Sequence, residues 1–413
     1  MFNYVKSFSF PRLAGTEGEQ KAVEKTINTF KEIGFNDNQI ESEPFEFSDF
    51  YSTTLVKLIM MVSLTFLLIL VLFIYINPFI AFGLIFGMGL MVFFILRGLK
   101  HPETPGFWGK YYGTNLKATN VFVKVPAQSL PEKDAGNILL SAHIDSKSQT
   151  FKTIWRILAY RIWLNGGVLL GVIYISLAVF QLLRIFNPFF LEQIPYIEIT
   201  YLLLNLSLWI LTCLVSFSNL LLMFLNTHNK SPGALDNASG MAIVFELSSY
   251  FKEHKLNNYN LWFCQFSAEE LGTMGSRIFV NNHEHHFIKE KVYQLNFDMV
   301  SLAGHKKNRI EYMRSYGVYP RKPIAPILSS YLEKAASEEN ITISGFHLTT
   351  GAHTDTVPFH LRGFEAIDVV TTAAARKTHN KDDTPDKVDP QILLEACIIA
   401  YKVILSIDND YSF

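Results

Sequence analysis

At 413 residues, with 49% hydrophobic side chains and a positive mean hydropathy, the chain is too apolar for an ordinary soluble domain, so membrane spans are sought first. A formal net charge of −1 excludes the basic surplus of a nucleic-acid-binding protein and any whole-chain attraction to acidic partners. The three cysteines, Cys213 in an apolar run, Cys264 in a segment that reads as a buried strand and Cys397 in one that reads as a helix, offer neither a disulfide framework nor a cysteine metal cluster.

The opening residues, MFNYVKSFSFPRLAGTEGEQ, have no apolar core of signal-peptide type. Lys21 to Ile33 has an amphipathic helical pattern ending at Gly34, and Ile40 to Phe47 alternates as a strand. Leu58 to Ile76 and Phe79 to Leu96 then lack any charged side chain. Each is near the roughly 20 residues that cross a bilayer. Only Asn77-Pro78 separates them, so 58–96 reads as a first transmembrane hairpin. Strands are predicted at Asn120 to Val125 and Asn137 to Ala142. Thr153 to Arg161, with Trp155 among basic residues, reads as an interfacial lead into Ile162 to Leu183. With Ile199 to Leu225 that span forms a second hairpin, 162–225, whose tip carries Arg184, Glu192 and Glu198.

Beyond it, Met241 to Phe251, Leu271 to Asn281 and Pro326 to Glu338 read as helices, with buried strands at Asn260 to Phe266 and Val292 to Phe297. The run Asn281-Asn282-His283-Glu284-His285-His286 reads as a solvated loop and not as a metal site. Removing the hairpins leaves 1–50, 100–157 and 227–413. Strands alternating with helices there suit one α/β domain with a mixed, largely parallel sheet and helices on both faces. Lys57, Arg97, Lys100, Lys110, Lys152, Arg156, Arg161 and Lys230 flank the span ends on the side shared by the termini, against Arg184 at the tips. That bias places the α/β domain in the cytoplasm. The sequon Asn340-Ile341-Thr342 decides little against it.

In open α/β sheets, ligands gather beyond the carboxyl ends of strands. His143 and Asp145 follow NILLSA, Glu269 and Glu270 follow LWFCQFSA, and Asp298 follows VYQLNF. Alone, each signal has an ordinary reading: a hydrogen-bonded His143–Asp145 pair, an exposed helix start at Glu269-Glu270, a cap at Asp298, a turn at Asp236-Asn237, and a surface residue at His379. Together they offer two histidines and three carboxylates, the ligand count of two zinc ions sharing one carboxylate.

The order AHIDS, GALDNASG, SAEELGTMGS, LNFDMV, TDTVPF and THNKDDTPDK resembles the di-zinc aminopeptidase family, which also contains glutamate carboxypeptidase II and glutaminyl cyclase. The opening PRLAGTEGEQKAVEKTINTFKEIGF is similar to that family's first helix. The resemblance implies a zinc-peptidase fold, two Zn2+ ions and peptide substrates. It implies one zinc site completed by His143 and Asp298, another completed by Glu270 and His379, and a bridge at Asp236. It also implies that Asp145 accepts the second imidazole N–H of His143 and that Glu269 is the general base.

The chain departs from the family in the long interval between 143 and 236, which the second hairpin fills, and in the first hairpin. Hairpins leaving one sheet edge would bring the site close to the bilayer and favour membrane-proximal peptides. Two alternatives stay open. HIDSK is similar to a glutaminyl cyclase segment, although cyclases usually place tryptophan just before the last zinc histidine and here Lys377-Thr378 precede His379. An inactive membrane receptor or scaffold on the same fold is the other, against which all five ligands and the base are retained. Cleavage specificity, carboxypeptidase or amidase chemistry, cobalt or manganese as the metal, and the oligomeric state are not read from the sequence.

Overall fold

The computed structural model describes residues 1–411 except 53, 99–112, 188, 190–192, 194, 307–308, 318–319 and 349–353. Lys100, Lys110 and Glu192, used above for sidedness and the second hairpin tip, lie outside the described residues. The chain divides into two units: Met1–Asp49 with Thr114–Gln149 and Thr227–Phe413, and Phe50–Gly113 with Thr150–Asn226. Residues 150–157, expected with the α/β domain, fall in the second unit. The reason is that interfacial segment and span form one uninterrupted helix, Thr153–Phe186.

The first unit holds strands β1 (Ile40–Ser48), β2 (Asn115–Val125), β3 (Gly136–His143), β4 (Ser148–Gln149), β5 (Thr227–His228), β6 (Tyr259–Phe266), β7 (Val292–Phe297), β8 (Ile310–Tyr316), β9 (Lys322–Pro323), β10 (Ile343–Leu348) and β11 (Glu365–Val370). The main sheet is mixed, in the order β1-β2-β6-β3-β7-β11-β8-β10, with β9 on β8. Its centre is parallel, β3 pairing with both β6 and β7 and β7 with β11. Antiparallel pairs β1–β2 and β2–β6 extend one side, and β11–β8 turns the other.

All eight residues of β3 are buried, as a parallel strand covered on both faces requires. Ile138, Leu140 and Ala142 point into one core with Phe263, Leu295 and the helices Glu17–Ile33, Ser239–Glu253 and Pro390–Asn409. Leu139 points into the other with Trp262, Phe266 and Phe279. The helix Glu17–Ile33 buries Ala22, Val23 and Phe30 on one stripe and stops at Gly34 in the left-handed region.

Both excursions to the second unit leave through closed necks. The Asp49 N–H donates to Thr114 O at 3.2 Å, and the Thr114 N–H to Asp49 Oδ1 at 2.7 Å. At the second neck Ser148 pairs with His228 and Gln149 with Thr227.

The second unit is helical: Thr54–Ile76, Pro78–Gly98, Thr153–Phe186 and Ile197–Met223. Leu67, Leu70, Ile74, Leu170, Leu177 and Leu208 form its interior. Leu68, Leu72, Phe86, Val168 and Leu202 face outward, the reverse of a water-soluble bundle. Polar side chains pair between the helices, Tyr75 OH donating to Asn205 Oδ1 at 2.8 Å and Trp163 Nε1 to Ser63 Oγ at 3.1 Å. Thr54–Ile76, Thr153–Phe186, Ile197–Met223 and Pro390–Asn409 are long and apolar enough to cross a membrane, while the apolar stretch of Pro78–Gly98 is Phe79–Met91. Pro390–Asn409 is instead a core helix. It buries Leu393, Ala400 and Ile404 in the first unit, and its Asp408 carboxylate accepts from the Asn257 and Asn258 N–H groups.

Candidate metal centre

The parallel strands end on ionisable side chains: His143 closes β3, Glu269 and Glu270 lie in the turn after β6, and Asp298 follows β7. That turn takes Ala268 and Thr273 to φ of 58° and 56°, which delays the helix expected from Leu271 until Met274. The Asp145 carboxylate holds the turn in place, accepting from the Glu269 and Glu270 N–H groups at 3.1 and 3.2 Å. It is therefore not the nearest partner of His143, whose Nδ1 lies 3.0 Å from the backbone O of Asp145 and 3.5 Å from its carboxylate.

Asp236 belongs to the bend 234–238 that leads into helix Ser239–Glu253. Asp383 anchors this bend, accepting from the Leu235 and Asp236 N–H groups at 2.6 and 3.2 Å. Asn237 Nδ2 donates to Phe297 O at 2.8 Å, tying Asp236 to the strand end that carries Asp298. Gly240 permits the approach, since a Cβ there would lie 2.2 Å from Phe297 O. His379 comes from the loop after β11, at φ 60°, and its carbonyl accepts from the Gln149 N–H at 3.1 Å.

Asp236 faces two groups at once. Its Oδ1 lies 3.2 Å from His143 Nε2, which is also 3.5 Å from Asp298 Oδ1. Its Oδ2 lies 3.1 Å from His379 Nε2, which is 3.2 Å from Glu270 Oε2. Within each triad, His143–Asp236–Asp298 and Asp236–Glu270–His379, the candidate donor atoms lie within 4.8 Å of one another. Glu269 Oε2 stands 3.9 Å from His143 Nε2, outside both triads. All five expected ligands and Glu269 are thus brought to one place.

Burial alone would push the His143 imidazole down, but Asp145, Asp236 and Asp298 outweigh it and hold it well above its ordinary value. Burial would likewise raise the Asp236 carboxyl, yet His143 and His379 depress it. Glu269 is pushed well up by burial, and Glu270, Asp298 and Asp355 add to this against the pull of His143.

The donor chemistry fits zinc. Imidazole nitrogen and carboxylate oxygen are its usual non-thiolate ligands. His143 Nε2, Glu270 Oε1 and Asp298 Oδ1 are buried polar atoms without a hydrogen bond. Atoms in that position call for a bound ion or water.

Four residues of the centre were not singled out by sequence reasoning. Lys147 Nζ lies 2.7 Å from Glu270 Oε2, and burial pushes Asp355 up to about 7 beside the cluster. Arg12 and Asp383 brace the loops behind the ligands. A strand-end pattern would have found Lys147, four residues past His143. Neither Arg12 nor Asp383 is read from the sequence, and the fold buries both. His283 takes no part in the centre. It pairs with Glu43 at 3.3 Å and packs on Phe279 at a ring distance of 4.6 Å.

A model of peptidase family M28 matches residues 223–404, a stretch that includes Asp236, Glu269, Glu270, Asp298 and His379 but not His143. Aminopeptidase YwaD from Bacillus subtilis is 26% identical over 173 residues, 40% of this chain and 36% of that protein. The matched stretch therefore spans little more than a third of its curated relative. Among solved structures, an aminopeptidase from Aneurinibacillus sp. strain AM-1 aligns with a TM-score of 0.55 at 15% identity, over 98% of this chain and 92% of that one. An Acidobacteriales bacterium glutaminyl cyclase aligns with a TM-score of 0.53 at 15% identity, over 99% and 94%. The fold is that of the zinc aminopeptidases and glutaminyl cyclases, as the motif order implied.

Proposed function

We propose that the chain is a peptidase of the family M28 type, and that it acts as a membrane-anchored, zinc-dependent aminopeptidase. The observation that carries this reading is Asp236, whose two oxygens face two separate ligand triads with Glu269 beside them. His143, Asp236 and Asp298 would hold one Zn2+ ion, and Asp236, Glu270 and His379 a second. Zinc bound there supplies Lewis acidity, polarising a carbonyl and activating water near neutral pH.

The chain's own residues do the rest. Glu269, whose carboxyl burial raises, is poised to accept a proton from the attacking water and return it to the leaving amine. Asp145 aims Glu269 and Glu270 through their backbone N–H groups, so one turn presents a base and a ligand side by side. Gln149 and Asp383 fix two sides of the site, the His379 loop and the Asp236 bend.

The apolar helices of the second unit support anchoring in a lipid bilayer. The excess of basic residues at the span ends supports a cytoplasmic first unit. An impermeant reagent that labels an engineered cysteine at Lys255 in intact cells would overturn that orientation.

The test of function is a release assay on detergent-purified, zinc-loaded protein with aminoacyl, N-blocked and N-terminal glutaminyl peptides. Release of the first residue from unblocked peptides alone is expected. Ammonia release from glutaminyl peptides without hydrolysis would favour the cyclase reading, which the shared fold keeps in view. Turnover of none, with zinc bound, would favour the receptor or scaffold.

A further inference from the structure

Arg12 lies between the first helix and Glu17–Ile33, and its side chain is completely buried. A guanidinium has five N–H donors and no acceptor. Burying one without partners is severely unfavourable. Here all the partners are backbone carbonyls. Nε donates to Ile144 O, and Nη1 to Phe8 O, Phe10 O and Pro232 O at 2.7, 3.2 and 2.6 Å. Nη2 donates to Gly233 O at 2.9 Å.

Two of these attachments matter chemically. Ile144 follows the ligand His143, and Pro232-Gly233 precede the bridging Asp236 by a few residues. The backbone reinforces the link: the Ser146 N–H donates to Arg12 O at 3.2 Å, and Ser146 Oγ to Ser231 O at 3.0 Å. Gly233, at φ 65°, leaves the space, since a Cβ there would lie 2.8 Å from Nη1 and 2.6 Å from Asp236 O. The charge of Arg12 is felt through space by Asp383, Asp145, Asp236 and Glu270.

We propose that Arg12 is a positioning residue of the metal centre, its planar fork locking the His143 strand end to the Asp236 bend at ligand spacing while its charge offsets the carboxylates behind them. This rests on the zinc reading above. Partners one step removed from the metal typically set about ten- to a hundredfold in its affinity. A lysine keeps the charge but cannot span carbonyls on separate segments in one plane.

The experiment measures zinc affinity by chelator competition on the detergent-purified full chain, for wild type, Arg12→Lys and Arg12→Met, alongside melting of the zinc-free proteins. Both variants are expected to lose about ten- to a hundredfold in zinc affinity, with Lys little better than Met. Methylguanidinium should restore part of the affinity to Arg12→Ala. Wild-type zinc affinity in Arg12→Lys, even with a lowered melting temperature, would make Arg12 a merely structural brace and overturn the proposal. If Arg12→Met does not fold, Arg12→Lys decides. A wild-type chain that binds no zinc would sink the metal reading itself, an outcome separate from equal binding by wild type and variant.

Discussion

At the scale of single residues the proposed function divides the centre into groups that would hold a metal and a group that would move a proton, and substitution should separate them. Glu269→Gln keeps the triads, which do not include Glu269, and should keep zinc while turnover falls at least about a hundredfold. Asp236→Asn removes the carboxylate common to both triads and should lose zinc and turnover together, as elemental analysis of the purified variants would reveal. Two tightly held zinc ions in Asp236→Asn would refute the bridge. Glu19 makes a different kind of prediction. It is buried and accepts from the Thr119 N–H at 3.1 Å and Ser267 Oγ at 2.8 Å, and burial pushes its carboxyl up to about 7. A carboxyl raised on folding favours the native state below its unfolded value of about 4.3 and loses that contribution as pH rises through 7. Glu19→Gln should therefore raise the melting temperature at pH 8 and leave it nearly unchanged at pH 4. Equal effects at both pH values would show that ionisation is not the cause.

At the scale of elements, the approach of helix Ser239–Glu253 to β7 controls the distance between Asp236 and Asp298. Gly240→Ala drives a Cβ against Phe297 O and Asn237 Oδ1, neither of which can withdraw cheaply, the first being backbone and the second hydrogen-bonded. Overpacking of this kind costs about 1–3 kcal/mol. A lower melting temperature with weaker zinc binding is expected, and unchanged zinc affinity would mean that this contact does not set the ligand spacing. The central strands were legible in the sequence because β3, β6 and β7 are largely apolar, carry no charged residue and lead into the polar segments at His143, Ser267 and Asp298. The edge side of the sheet was not. In β10 no residue is fully buried, and Glu365 and Asp368 interrupt the apolar pattern of β11. The buried Asp368 is explained only by the fold, which brings Asn296, Thr354 and Thr356 to its carboxylate at 2.8–3.0 Å. The ligand positions His143, Glu270 and Asp298 stood out because they sit in short polar motifs after apolar strands, whereas Arg12 and Asp383 required knowing which loops meet. The segment around Cys397 reads as a helix in the sequence and is one, and its start at Pro390 follows local signals, Asp389 as cap and Pro390 at the first turn.

At the scale of the whole molecule, both hairpins interrupt a unit that closes without them. The necks at Asp49–Thr114 and Gln149–Thr227 are already hydrogen-bonded or paired, so short loops could bridge them with little added closure entropy. Replacing both hairpins by glycine-serine loops should yield a soluble, zinc-binding protein that still cleaves small peptides. A folded, zinc-loaded deletion variant without any turnover would mean that the helices shape the site. The same interruptions also impose an order on biosynthesis. β3 is made before the second hairpin, while its two parallel neighbours β6 and β7 are made after it. The sheet's centre therefore cannot assemble on the ribosome until the second hairpin has emerged, so that hairpin is made while the first unit is still unfolded. Ribosome-arrested chains should stay protease-sensitive in residues 115–149 until β7 has cleared the exit tunnel, and early protection there would show that β2 and β3 hold together without their later partners.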